Sequence, residues 1–203
     1  MLPRENANDK ADVEAPDVRP RPSQIESHEV QLISRVAEGD LHAFETLYRL
    51  YFPRLTRFLD RMTRSVYLIE EIVNDTMLVV WQKADAYNQS CKVSTWIFSI
   101  AYRKALKAIK RQDKPVEADF ERIPAGSDVE PDHELSRQQC QKIVGIALDS
   151  LPVEQRTVVN LTYYHGMGYQ EIAETMDCPV NTVKTRMFHA RRRLKTMLSS
   201  LIE

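Results

Sequence analysis

Basic side chains are the clearest candidate functional groups in this sequence, and they occur in two clusters that contain no acidic residue. The first lies within residues 102–111 and consists of Arg103, Lys104, Lys107, Lys110 and Arg111. The second lies within residues 180–197 and consists of Lys184, Arg186, Arg191, Arg192, Arg193 and Lys195. Such clusters neutralise phosphate charges, so both indicate binding to nucleic acid. An ordinary solvated helix face remains the alternative for either cluster taken alone.

Residue patterns typical of catalysis or metal binding do not occur in the sequence. There is no glycine-rich phosphate loop and no pairing of a nucleophile with a base. Cys91, Cys140 and Cys178 are far apart and do not have a metal-ligand spacing. We therefore expect free thiols, no cofactor, no metal and no catalytic site. An enzyme whose groups meet only in the folded chain stays as an alternative.

Composition predicts a soluble protein of the all-α class. Hydrophobic residues make up 43% of the 203 positions, Gly occurs 5 times, and the alternation typical of strands is hard to find. The first ten residues are polar and charged, unlike a secretory signal. No apolar run reaches the roughly 18 residues of a membrane span. We expect a cytoplasmic protein without membrane insertion.

Changes in composition divide the chain into four segments. Residues 1–28 contain prolines and acidic residues and are predicted to be a disordered tail. Residues 29–112 have helical periodicity and form a first domain, in which Pro53 should start a new turn or kink a helix. Residues 113–134 are acidic and contain three prolines, which predicts a flexible linker. Residues 135–203 form a second helical domain.

Within the first domain, two helices are expected on either side of a loop. The earlier helix covers about 67–85 and buries a stripe made of Ile69, Ile72, Val73, Met77, Val80 and Trp81. The loop covers 85–93. Ser94 or Thr95 then caps a helix that runs from Trp96 to about Arg111. Trp96 has a spacing that favours a core position over stacking on a base.

The second domain is predicted to end in a helix-turn-helix. Two short helices, about 169–176 and 180–198, are joined by a tight turn that contains Pro179. Ile172 and Ala173 face inward on the first of them. On the second, a buried stripe recurs at steps of four, three and four residues and consists of Val183, Met187, Ala190 and Leu194.

The outer face of the last helix carries two kinds of polar side chain. Those able to hydrogen-bond to base edges are Asn181, Thr182, Thr185, Arg186 and His189. Those better placed for phosphates are Lys184, Arg191, Arg192, Arg193 and Lys195. An amphipathic C-terminal helix with a basic outer face is the structural alternative. The turn and the absence of acidic residues favour DNA.

The second domain also resembles a known family. Residues 149–197, and within them the segment PVNTVKTR at 179–186, are similar to the domain of extracytoplasmic-function (ECF) sigma factors that reads the promoter −35 element. Asn181 stands where many members of that family have glycine. The resemblance covers about 30–112 and 136–198, so it includes both domains in the family's order.

In the first domain, the resemblance assigns a polymerase-binding helix to residues 69–82, IEEIVNDTMLVVWQ. It makes Asp75 a main polar contact, surrounded by Glu71, Asn74, Met77 and Leu78. An acidic edge also suits a basic partner. A solvated helix face is the alternative for this edge.

Residues 94–111 are similar to the family's −10 element helix. The resemblance implies a pocket for a flipped base at the loop Asn88, Gln89 and Ser90. Arg103, Lys107, Lys110 and Arg111 would form a track for the DNA backbone. Tyr102 and Arg103 stand where many members have Arg-Asn, and Tyr102 could stack on an opened base or pack in the core.

The resemblance implies a transcription initiation factor without catalytic activity of its own. It would bind core RNA polymerase, direct it to specific promoter DNA, and help to nucleate melting. It would also have an antagonist, usually an anti-sigma factor that acts until a stress signal arrives, and its acidic linker would thread the polymerase channel. The alternative is a free-standing helix-turn-helix regulator that does not bind core polymerase.

Overall fold

Residues 22–63, 65–112 and 143–202 are described by the computed structural model, and the regular elements in these ranges are helices. This confirms the prediction of an all-α protein. The helices of the first unit, residues 22–112, are α1 (Pro22–Ala37), α2 (Leu41–Thr63), α3 (Val66–Lys83) and α4 (Val93–Gln112), with a short 3-10 turn at Ala84–Ala86. Those of the second unit, residues 143–202, are α5 (143–149), α6 (Val153–His165), α7 (Tyr169–Met176) and α8 (Val180–Ile202).

The core of the first unit is built around α2, which packs against α1, α3 and α4. On one face of α2, side chains spaced three or four residues apart are fully buried, among them Leu47, Tyr51, Leu55 and Phe58. The entry to α2 is fixed by Asp40, whose Oδ1 accepts hydrogen bonds from the backbone N–H groups of His42 (2.9 Å) and Ala43 (3.1 Å). The bond from Ala43, together with the nearby Arg35, lowers the pKa of Asp40.

Pro53 does not divide α2 into two helices. The helix continues from Leu41 to Thr63 across it. Tyr51 and Leu55 lie on either side of the proline and are both completely buried. Burial on both flanks holds the two halves in one helix, which local sequence preference alone does not predict.

The start of the chain differs from the predicted tail. Residues 22–28, which the composition assigns to a disordered segment, are helical and form the first turns of α1. A proline is well tolerated at a helix start because its missing N–H has no partner there. Glu29, which directly follows this stretch, is 3% exposed and anchors α1 to the core. Residues 1–21 of the predicted tail lie outside the described residues.

The start of α4 also differs from the prediction. The helix begins at Val93, so Ser94 and Thr95 lie within its first turn and do not precede it. Val93 is 2% exposed and Thr95 is 1% exposed, which shows that this turn is drawn into the core. Trp96 packs against the edge of the core, as expected. The predicted linker at 113–134 lies outside the described residues.

The helix-turn-helix is formed by α7 and α8, as predicted. Val183, Met187 and Ala190 are at most 1% exposed, Leu194 is half-buried, and Ile172 and Ala173 are buried opposite them. The turn between the helices uses Asp177 in the left-handed region, with φ of 51°. The preceding α6 ends at Gly166, whose φ of 64° is suited to glycine.

Candidate nucleic-acid and protein-binding surfaces

The outer face of α8 projects away from the core and carries the residues predicted to contact DNA. Thr182 and Arg186 are half-buried. The exposed members of the predicted set are Asn181, Lys184, Thr185, His189, Arg191, Arg192, Arg193 and Lys195. The buried stripe of α8 fixes this face outward, so the helix can enter a major groove with its basic side chains towards the phosphates.

Two arginines of α8 have partners within the second unit. Arg186 Nη1 lies 3.5 Å from Sγ of Cys178, which holds its guanidinium against the turn. Arg191 Nη2 donates a 3.1 Å hydrogen bond to Oη of Tyr163 on α6. The sequence did not predict either contact, because each depends on how the helices pack.

A second basic surface runs along α4. Arg103, Lys107, Lys110 and Arg111 are all exposed on it, as the predicted backbone track requires. Arg103 Nη2 donates to Oγ of Ser99, 3.2 Å away, which orients the guanidinium along the helix. Clustered cations of this kind bind a DNA backbone by neutralising phosphates.

The loop before α4 is exposed and tightly shaped. Gln89 adopts the left-handed conformation with φ of 59°, and Oδ1 of Asn88 accepts a 3.1 Å hydrogen bond from the backbone N–H of Ser90. Beside the loop is a cleft of about 210 Å³, lined by Glu26, Glu29, Val30, Tyr87, Gln89, Cys91, Lys92 and Val93. The sequence predicted the loop but not the cleft, since α1 supplies one wall.

Tyr102 does not lie on the exposed basic surface of α4. Tyr102 is 4% exposed, and Arg186, Glu154 and Cys178 of the second unit lie close enough for their charges to act on its hydroxyl. Burial raises the pKa of its hydroxyl to about 12, while the nearby Arg186 acts in the opposite direction. Of the two roles that the sequence left open for Tyr102, stacking on an opened base and packing in the core, the structure shows packing, so its assignment to the −10 DNA-binding residues is wrong.

The predicted polymerase-binding edge of α3 is largely exposed. Glu71, Asn74 and Asp75 are open to solvent, and Leu78 is 52% exposed despite being apolar. The prediction that Met77 belongs to this edge is wrong, because Met77 is 1% exposed. It belongs to the buried stripe with Val73 and Val80, so the helical periodicity identified its position correctly.

Two polar contacts fix this edge to neighbouring helices. Lys104 Nζ on α4 donates to Oδ2 of Asp75 at 2.9 Å. Tyr48 Oη on α2 donates to Oδ1 of Asn74 at 2.9 Å. Both acceptors are therefore held in place while remaining accessible from solvent. Residues so far apart in sequence could not be paired by inspection of the sequence.

The two units are in direct contact through α2 with α6 and α4 with α7. Asn160 Nδ2 donates a 3.1 Å hydrogen bond to the carbonyl oxygen of Phe58. The ring of His165 packs edge-on against Phe58 and Phe98, with centroid distances of 5.9 and 4.8 Å. Burial, together with the charges of Arg54, Arg57 and Arg61, lowers the pKa of His165 to about 4. This contact could not be predicted from the sequence, because it depends on how the helices of the two units pack.

The described ranges contain neither a candidate metal site nor a candidate membrane span. No group of three or more His, Cys, Asp or Glu side chains there could hold a metal ion. None of the helices in those ranges is both long and apolar enough to cross a bilayer. Cys91 and Cys178 are free thiols, and Cys140 lies outside the described residues.

The fold and these surfaces define a class of protein: a two-unit helical DNA-binding protein that ends in a helix-turn-helix. Comparison with known proteins narrows the class. The Sigma-70 region 2 family matches residues 47–114 and the Sigma-70, region 4 family matches residues 142–194. Together these matches cover more than half of the chain.

A curated relative supports the family match, and two solved structures have a similar fold. An ECF RNA polymerase sigma-E factor from Haemophilus influenzae is 29% identical over 84% of this chain and 95% of its own. The structure of CnrH in complex with the cytosolic domain of CnrY is similar, with a TM-score of 0.65 and 21% identity over 85% of this chain and 98% of that one. The sigma factor RpoE from Bartonella quintana, solved with the anti-sigma factor NepR, is also similar. Its TM-score is 0.61, and it is 24% identical over 77% of this chain and 96% of that one.

The chain belongs to the extracytoplasmic-function group of the sigma-70 family of RNA polymerase sigma factors. It is a transcription initiation factor that directs RNA polymerase to promoters, as the resemblance implied. The free-standing regulator is not favoured, because residues 47–114 match a sigma region that such a regulator does not need.

Proposed function

We propose that the first unit docks on core RNA polymerase and holds the opened −10 strand, while α8 reads the −35 element as duplex. The observation that carries this division of labour is the presence, in one chain, of an exposed acidic edge on α3 and a helix-turn-helix with a basic outer face. The catalytic chemistry is that of the polymerase, and the chain acts in the cytoplasm where polymerase and promoter are.

Docking on polymerase uses the exposed edge of α3. Asp75, Glu71 and Asn74 present negative and polar groups there, and Leu78 adds an apolar contact. An acidic patch favours a basic partner surface and speeds its encounter. Because Asp75 is already held by Lys104, its carboxylate enters the complex with little loss of side-chain freedom.

Capture of the opened −10 strand uses α4 and the preceding loop. The basic track of α4 follows the DNA backbone, and the loop with the cleft behind it provides a recess for an unpaired base. Holding a base outside the stack offsets part of the cost of unpairing, which favours promoter melting. Asn88, Gln89 and Ser90 supply the polar groups at the rim.

Reading of the −35 element uses the N-terminal half of α8. Asn181, Thr185, Arg186 and His189 reach base edges, and Arg186 is suited to guanine. The basic residues from 191 to 195 bind flanking phosphates and supply affinity common to all sequences.

An anti-sigma factor is proposed as a regulatory partner. It would cover the polymerase- and DNA-binding surfaces until a stress signal releases the chain. The proposal is supported by family membership and by the RpoE structure from Bartonella quintana, which was solved with the anti-sigma factor NepR.

Reconstituted transcription tests the proposed function. Core RNA polymerase with the purified chain should start transcripts from a promoter library with randomised −35 and −10 segments, and the selected templates should share sequences in both segments. Core polymerase alone is the control. If the chain bound specific duplex DNA tightly by itself and selected no promoters with core polymerase, the free-standing regulator would replace this proposal.

A further inference from the structure

Tyr163, near the C-terminal end of α6, is a large side chain that the core does not cover. It is 61% exposed, and its Oη accepts a 3.1 Å hydrogen bond from Nη2 of Arg191 on α8. Tyr169, the first residue of α7, lies close enough to act on Arg191 as well. Three helices of the second unit thus bring polar side chains together at one exposed point.

Arg191 is bonded to a neutral group, unlike Arg49 on α2. Arg49 is also exposed, but its Nη2 lies 2.6 Å from a carboxylate oxygen of Glu45. A carboxylate offsets the charge of its arginine, whereas a tyrosine hydroxyl does not. The hydrogen bond to Tyr163 raises the pKa of Arg191, which favours the charged form of the guanidinium. The pair therefore presents a positive charge that an anion can use.

The hydroxyl of Tyr163 also has a proton to donate, because it receives the bond from Arg191 through its oxygen. A phosphate oxygen beside the pair can accept one hydrogen bond from this hydroxyl and another from a further N–H of the guanidinium. Accepting a bond from a cation polarises the O–H group and strengthens its own donation. The two side chains are therefore complementary to a single phosphate group.

Arg191 lies at the edge of the outer face of α8, on the side that adjoins α6. Lys184 is on the same side of the helix, about two turns earlier. A recognition helix in the major groove turns the middle of its outer face towards the bases and its edges towards the phosphates of the groove walls. Tyr163 therefore lies where a DNA backbone passes when α8 occupies the groove.

We propose that Tyr163 and Arg191 form one binding site for a DNA phosphate beside the −35 element, in which Tyr163 donates to the phosphate and positions Arg191. The inference rests on the proposed function, since it requires α8 to lie in the −35 duplex. The hydrogen bond holds the guanidinium before DNA arrives, so less side-chain freedom is lost on binding. Because a phosphate carries no sequence information, the site adds affinity at every −35 sequence.

Two substitutions remove the two donors separately. Tyr163→Phe removes the hydroxyl and keeps the ring, and Arg191→Ala removes the cation. Tyr164→Phe is the matched control on α6, because it removes the hydroxyl of the next residue, whose ring centroid lies 3.7 Å from the guanidinium of Arg61. Arg192→Ala is the matched control on α8, because it removes an exposed arginine about 100° further round the helix.

The affinity of polymerase assembled with the full-length chain for a labelled promoter duplex, measured over a range of salt concentrations, tests the site. Tyr163→Phe should weaken binding roughly tenfold at every −35 sequence, as expected for loss of one hydrogen bond to a charged group. Its salt dependence should not change, because no charge is lost. Arg191→Ala should instead reduce the salt dependence by about one phosphate contact. Tyr164→Phe should bind like the wild type.

Double variants show whether the two side chains act together. In the Arg191→Ala background, Tyr163→Phe should weaken binding by about threefold or less, because the two changes remove parts of one site. In the Arg192→Ala background, Tyr163→Phe should keep its full effect of roughly tenfold.

Duplexes in which one −35 phosphate at a time is replaced by a neutral methylphosphonate locate the site on the DNA. At one position, the replacement should weaken wild-type binding roughly tenfold and have little effect on the double variant Tyr163→Phe, Arg191→Ala. A variant that only folded less well would keep the wild-type pattern of sensitive positions, so this readout separates phosphate binding from a purely structural link between α6 and α8.

Unchanged DNA affinity in Tyr163→Phe would overturn the proposal. A full tenfold effect in the Arg191→Ala background would do the same, because the hydroxyl would then act without Arg191. A loss confined to certain −35 sequences would indicate a base contact, and weaker assembly of Tyr163→Phe with core polymerase would assign the pair to a protein partner. Failure of the proposed function is distinguishable, because the wild-type complex would then show no dependence on the −35 sequence.

Discussion

Nη1 of Arg54 donates a 2.8 Å hydrogen bond to Oε1 of Glu29, and this ion pair joins α2 to α1 inside the first unit. The Glu29 side chain is 4% exposed, and the Arg54 guanidinium also lies over the Tyr51 ring at 4.6 Å from its centroid. A carboxylate this deeply buried depends on its partner, because its hydration is lost in the folded state. The pair is therefore a structural link that fixes α1 beside the loop before α4, which we propose holds the flipped base.

Removal of Arg54, the partner of Glu29, should destabilise the first unit. Arg54→Met should lower the free energy of unfolding by about 3 kcal/mol, since it leaves the Glu29 carboxylate buried without compensation. Arg49→Met is the control on the same helix: Arg49 pairs with Glu45 at 2.6 Å, but the two side chains are 76% and 54% exposed. That change should cost less than about 0.5 kcal/mol.

Urea unfolding followed by tryptophan fluorescence measures this difference. The chain has 2 Trp residues, and both Trp81 and Trp96 lie in the first unit, so the signal reports that unit alone. Equal effects of the two substitutions would show that the buried pair contributes no more than a surface one.

Base reading and phosphate binding by α8 should separate in mutants. Arg186→Ala should weaken binding at promoters with the preferred −35 bases by about 1–3 kcal/mol. At promoters in which those bases are changed, it should have little effect on binding. Lys195→Ala should weaken binding to all sequences by a similar factor and reduce the salt dependence by about one phosphate contact. Electrophoretic mobility shifts with the polymerase complex across promoter variants and salt concentrations measure both. If the two mutants gave the same pattern, the assigned roles would be wrong.

Acidification should weaken the contact between the units. The pKa of His165 is lowered to about 4, mainly by burial and further by Arg54, Arg57 and Arg61, whereas a solvated imidazole has a pKa of about 6.5. The chain with its two units in contact therefore binds fewer protons than the chain with the units separated, and the stability of the contact falls as the pH drops from about 6.5 towards 4. The radius of gyration of the wild type should increase over this window.

His165→Gln is the control for the pH experiment, because the amide does not titrate. Carboxyl groups also titrate in the same window in both proteins, so the difference between the two curves isolates the histidine. Identical pH dependence in the wild type and the variant would exclude His165 as the group responsible.

Local periodicity predicted the parts of the structure that depend on neighbouring residues along one helix. Val183, Met187 and Ala190 are buried as their spacing indicates, and the same reasoning placed Met77 inward. The resemblance put Met77 on the polymerase-binding edge, and the structure contradicts that. For Met77, therefore, the helical periodicity gave the correct position and the family resemblance did not.

Contacts between distant segments could not be predicted in this way. Lys104 meets Asp75 and Asn160 meets Phe58 only because the helices pack as they do. Tyr102 shows the same limit: its type suits base stacking, but it is buried in the folded chain, where α4 packs against α7. The start of α1 at Pro22 was missed because its burial, through Glu29, depends on a partner on α2.

The interaction with polymerase is the central claim, and co-purification with core RNA polymerase at moderate salt tests it most directly. Wild-type chain should bind, and Asp75→Ala should bind roughly tenfold more weakly, a change of about 1.4 kcal/mol. Lys104→Ala should weaken binding less than Asp75→Ala does, because it loses the ion pair that holds Asp75 but keeps the Asp75 carboxylate. Asp60→Ala controls for net charge with an exposed acid on α2.

If a folded wild-type chain failed to bind under conditions that keep other sigma factors bound, the account would be contradicted. Equal binding by the wild type and Asp75→Ala would instead contradict the assignment of this edge of α3 to the polymerase.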